Sequence, residues 1–155
     1  MDENKRIIEV LNDLIKINND RIAGYEKAVH EEREIEPDIR DVFYRFSTES
    51  RSFVNDLHAI VLRLGGAPVG GSTIPGKIYL FWLDMKARFT GHDTYEILAV
   101  CEQGEEAVQK AYDKALESST ELPFAIGTLV ENQRNALKRS HDLLEKYRKE
   151  HANLK

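Results

Sequence analysis

Apolar residues along this chain recur at alternating steps of three and four, the spacing that places side chains on one face of an α-helix. The first such stretch carries Ile8, Leu11, Ile15, Asn18, Ile22, Tyr25 and Val29. Pro37 opens a second, at a first-turn position where its missing N–H costs nothing. That stretch runs through Phe43, Phe46, Ser50, Phe53, Leu57, Ile60 and Leu64, and Gly65-Gly66 stops it as a left-handed cap does. A third begins with the capping-box arrangement Asp93-Thr94-Tyr95-Glu96 and continues through Leu98, Cys101, Glu105, Val108, Tyr112 and Ala115. The fourth starts at Pro123, with Ile126, Val130, Gln133, Leu137, Ser140, Leu144 and Tyr147 on its stripe. The predicted helices cover about 3–32, 38–64, 93–118 and 122–150. Each would be about 40 Å long at 1.5 Å per residue. Stripes on one side only need partner helices, and four of them close a bundle.

Connection lengths then set the topology. A few residues around Glu34, Ile35 and Glu36 join the first pair, and Ser118 to Leu122 joins the second, so each pair is an antiparallel hairpin. Gly65 to His92 separates the hairpins, long enough to return the chain along the whole bundle. Loops of that length are rarely structureless. Lys77 to Phe89 reads as a short fifth helix, near 76–89, after the Gly/Pro/Ser-rich run Gly70 to Gly76. The fold class is therefore all-α: a ferritin-like four-helix bundle in one domain, two antiparallel hairpins joined by a crossover over 65–92 with a short fifth helix.

Composition narrows the functional classes. A net charge of -5 argues against nucleic-acid and anionic-membrane binding, both of which want basic surface. The longest apolar run, Ile78 to Leu83, is far too short to span a bilayer. The first residues carry too many charges for a signal peptide, and the single cysteine excludes an internal disulfide. A cytoplasmic protein is expected.

Several fragments, in order, carry a resemblance: Leu11-Asn12-Asp13-Leu14-Ile15, Asn19-Asp20, Gly24-Tyr25, Leu64-Gly65-Gly66-Ala67-Pro68, Trp82-Leu83-Asp84-Met85-Lys86, Cys101-Glu102-Gln103-Gly104-Glu105-Glu106 and Ser140-His141-Asp142. Together they resemble a bacterial family of ferritin-like four-helix bundles described only as a domain of unknown function. The resemblance spans nearly the whole chain. It implies the ferritin-like fold and a bacterial cytoplasmic setting, and no substrate.

Metal-binding bundles of this kind take a Glu from one helix of each hairpin and Glu-x-x-His from its partner, because residues three apart share a face. The nearest runs here are Asn55-Asp56-Leu57-His58 and Lys138-Arg139-Ser140-His141, each with the wrong first residue. No cofactor or metal is expected on that ground. Under an alternative reading, an iron or manganese oxidase or store would use Glu105, Glu102, His58 and His141. The midpoints of the four stripes hold Asn18, Ser50, Glu105 and Gln133, polar where the period asks for apolar. Unpaired, each would cost about 1–3 kcal/mol, so the four should bond to one another as a layer that fixes helix register. Glu105 should then meet an amide from another helix, and Glu105→Gln should be nearly silent. Tyr25, Tyr112 and Tyr147 are expected to pack with hydroxyls at water, and His58 and His141 to be half-buried with one satisfied nitrogen.

Ile78 to Leu83 is apolar on every side of a helix, more than one bundle groove can cover. Tyr79, Phe81 and Trp82 are therefore the expected contact of a homodimer. The expected role is a non-catalytic structural or interaction module, stress-associated, with no intact dinuclear metal site.

Overall fold

The computed structural model describes residues 3–31, 35–70, 94–117 and 122–152. Within them are four helices, α1 (Glu3–Glu31), α2 (Pro37–Arg63), α3 (Thr94–Glu117) and α4 (Phe124–Ala152), and no strand. Pro37 occupies the first turn of α2, and Phe124, one residue later than expected, begins α4. Leu64 caps α2 and Gly65 follows with φ of 85°. The Gly65 and Gly66 amides donate back to the carbonyls of Leu62 and Val61, the paired bonds of a Schellman cap. Asp93 and the expected fifth helix near 76–89 lie outside the described residues, as do Tyr79, Phe81 and Trp82.

The hairpins α1–α2 and α3–α4 pack along their lengths, and they meet through α1 against α3 and α2 against α4. Two apolar clusters fix the directions. One gathers Tyr25, Ile39, Phe43, Phe46, Leu98, Cys101 and Leu144. The other gathers Ile7, Leu11, Leu14, Leu57, Val61, Val108, Tyr112, Val130 and Leu137. So α1 and α4 run one way, α2 and α3 the other, and all neighbours are antiparallel. It follows that α2 ends in the cluster opposite to the one where α3 begins. The next residues are tied to α1: Asn12 donates to the Ala67 carbonyl (3.2 Å) and accepts from the Val69 amide (3.1 Å). At the other end of that hairpin, Arg40 donates to the Val29 carbonyl (2.7 Å).

The buried face of α1 differs from the expected one. Ile7, Leu14, Ile17, Arg21 and Ala28 are inside, whereas Ile8, Ile22 and Val29 are only partly buried. The observed steps 7, 11, 14, 18, 21, 25 and 28 are as helical as those starting from Ile8. An arginine in the set makes the true face look like a surface.

Candidate functional site: a four-helix polar layer

Between the two apolar clusters lies a buried polar level, built around Arg21. Its side chain is wholly buried. Nε lies 2.7 Å from Glu105 Oε2 and 3.1 Å from Oε1, and Nη2 lies 2.7 Å from Oε1. Nη1 faces the Phe46 carbonyl (3.1 Å), Glu49 Oε1 (3.0 Å) and Ser50 Oγ (2.9 Å). The rings of Tyr25 and Phe46 stand 5.5 and 5.1 Å from the guanidinium carbon, within cation–π range. Burial opposes the charge on Arg21, but the Glu105 carboxylate more than restores it, so its pKa is raised.

A neutral chain continues from there. Ser50 Oγ donates to Asn18 Oδ1 (2.9 Å), and Asn18 Nδ2 donates to the Leu14 carbonyl and the Tyr112 hydroxyl, both at 2.8 Å. The Tyr112 hydroxyl donates to Gln133 Oε1 at 2.6 Å. Ser140 donates to Glu49 Oε1 (3.1 Å), joining α4 to the ionic part. Bonds between α1 and α3, α1 and α2, α3 and α4, and α2 and α4 thus meet at one height. Asn18, Ser50, Glu105 and Gln133 are all buried here.

Four expectations are corrected, those for Glu105, Tyr112, His141 and Tyr25, whose hydroxyl is buried rather than at water. Glu105 meets a guanidinium rather than an amide, because the layer holds a cation that needs a carboxylate. Tyr112 is wholly buried with its hydroxyl inside the chain of bonds, and burial raises its pKa. His141 has carboxylates on both ring nitrogens instead of one satisfied nitrogen. Tyr25 and Cys101 are also wholly buried, and each is pushed well above its ordinary pKa by burial and by Glu105. Such a thiol is inert.

The alternative ligand set is divided by the fold. Both Glu105 oxygens are bonded to Arg21, and His58, next to Leu57, belongs to the other apolar half. Its Nε2 has no hydrogen-bond partner among the described residues. Glu102 and His141 do come together on the α3–α4 face, with Oε1 3.7 Å from Nε2. Glu106, one turn along α3, also reaches Nε2 (3.1 Å), and Arg148 pairs with Glu102 Oε2.

The chain matches the family model described as domain of unknown function (DUF2383) over residues 6–118. It belongs to that family. No curated protein matches it. The span of the DUF2383 match contains Arg21, Glu49, Ser50, Glu105 and Tyr112, and thus the ionic centre of the layer. Gln133, Ser140 and His141 on α4 lie beyond it. Arg21, Glu49 and Glu106 are the functional candidates that pattern reading misses. A sequence signal for Arg21 exists: it sits three residues after Asn18 and four before Tyr25, both stripe positions.

Proposed function

We propose that this DUF2383 protein is a ferritin-like bundle of the bacterial cytoplasm whose central cation position is filled by its own arginine. It acts as a non-catalytic structural or interaction module, stress-associated, and not as a dinuclear oxidase. The antiparallel hairpins support the ferritin-like connectivity. Residues 65–93, at about 3.3 Å per extended residue, can easily cover a bundle about 40 Å long. The interaction role rests on Ile78 to Leu83, whose all-round apolar character asks for a second copy of the chain through Tyr79, Phe81 and Trp82.

The observation that carries the reading is the wholly buried Arg21 with both oxygens of Glu105 on its guanidinium. An oxidase of this architecture needs carboxylates and histidines free to hold two ions. A guanidinium keeps its proton at any physiological pH, so it cannot step aside by neutralising. The test is oxygen uptake by tag-free protein on adding ferrous iron. Uptake no faster than in buffer is expected, and protein-dependent turnover would overturn the reading.

A further inference from the structure

Among the described residues the polar layer leaves two overlapping clusters of metal-ligating side chains unused, and one of them joins the two helices of the second hairpin. His141 on α4 points Nε2 at α3, where Glu102 and Glu106 stand one helical turn apart. The three ligand atoms lie within 4.8 Å of one another. Nε2 is 3.1 Å from Glu106 Oε1 and 3.7 Å from Glu102 Oε1. Ligand atoms about 2.1 Å from a tetrahedral ion are about 3.4 Å apart, so the observed separations bracket the value such an ion requires.

The surroundings resemble those of a ligand set as well. The other ring nitrogen, Nδ1, faces Asp142 Oδ1 at 3.3 Å, the carboxylate–histidine pairing that orients a metal-bound imidazole. Arg148 orients the Glu102 carboxylate, with Nε close to Oε2 (2.5 Å) and Nη2 more distant from Oε1 (3.5 Å), the oxygen that also faces His141. Glu102 is itself only 7% exposed, so its carboxylate is held in place rather than swinging in water. Glu106 is half exposed and keeps the position open to solvent.

We propose that Glu102, Glu106 and His141 form a mononuclear site for a borderline divalent cation of the zinc class, completed by water, which clamps α3 to α4. One imidazole with two carboxylates suits such ions better than calcium or magnesium, which prefer oxygen alone. The second cluster that shares His141, with Asp142 and Glu145, lies on one helix and is more exposed. It is the competing location, and the experiment separates the two.

Zinc binding to tag-free protein is measured by calorimetry, beside thermal melts with and without zinc. One equivalent should bind, and zinc should raise the melting temperature. His141→Ala should abolish both effects, and Glu106→Gln should weaken binding at least about tenfold, within the range for losing a ligand or its support. Glu145→Gln should leave binding unchanged. His141 and Glu106 are not in the apolar clusters, so both variants should fold, which circular dichroism checks. Failure of zinc to bind, binding that survives His141→Ala, or loss with Glu145→Gln but not Glu106→Gln would each overturn the site.

Discussion

Arg21 on α1 and Glu105 on α3, 84 positions apart in the sequence, close the centre of the bundle with a two-pronged contact between wholly buried side chains. The pair is the only means in the described layer by which the carboxylate of Glu105 meets a full positive charge at hydrogen-bond distance. Its removal from one side is therefore far from neutral.

Arg21→Met should cost about 3–5 kcal/mol, because it strands a buried carboxylate. Arg21→Lys should recover only part of that, since an ammonium cannot grip both oxygens and also reach Ser50. Glu105→Gln, which reads as nearly silent from sequence, should now destabilise too, by leaving the guanidinium with Glu49 alone. Changing both to Met and Leu should restore much of the loss. Urea unfolding of the single and double variants measures each term. A single-variant cost below about 1 kcal/mol would contradict a closed ionic core.

Tyr112→Phe removes the hydroxyl that accepts from Asn18 and donates to Gln133. The two amides then lose a partner in a buried place, and a cost of about 1–3 kcal/mol is expected. Calorimetric melting should show it without a change in helix content.

His151 bonds the Tyr147 carbonyl through Nδ1 (2.8 Å) and Glu36 through Nε2 (3.1 Å), pinning the end of α4 to the start of α2. Partial burial works against its charge, but the carbonyl and Glu36 outweigh it, with Asp38 adding to them, and its pKa is raised above 6.5. A raised pKa stabilises the fold fully below the unfolded value near 6.5, and the gain is lost as pH climbs through the folded value. The stability difference between wild type and His151→Gln should accordingly shrink from pH 6.5 upward. A difference that grows with pH would reverse the assignment.

For the proposed dimer, light scattering at micromolar concentration should give twice the chain mass, and Trp82→Glu should halve it. A wild-type monomer would remove the apolar run as evidence for an interaction role.

How much of this was legible beforehand differs by element. Helix ends were, because Pro37, Gly65 and Pro123 act locally and need no tertiary knowledge. The midpoint polar residues were visible because Asn18, Ser50, Glu105 and Gln133 interrupt otherwise apolar stripes. Arg21 was masked by its chemistry: its spacing from Asn18 and Tyr25 puts it on the stripe, but a long basic side chain between Asp20 and Ile22 reads as solvated until its partner 84 positions away is known. Glu106 was missed for a similar reason. It lies off the stripe of α3, and its meaning depends on where α4 places His141. Periodicity reports the faces of single helices, whereas ion pairs and ligand sets belong to two helices at once.

The polar level has a further mechanical meaning. It splits the interior into two greasy compartments, one around Phe43 and Leu98 and the other around Leu11 and Val108. Each compartment can breathe as its own cooperative unit while the bonded deck between them holds the far end shut. Opening at the Ile7 end need not loosen the Leu144 end. The molecule then behaves less like one zipper than like two short ones sewn together at a common knot.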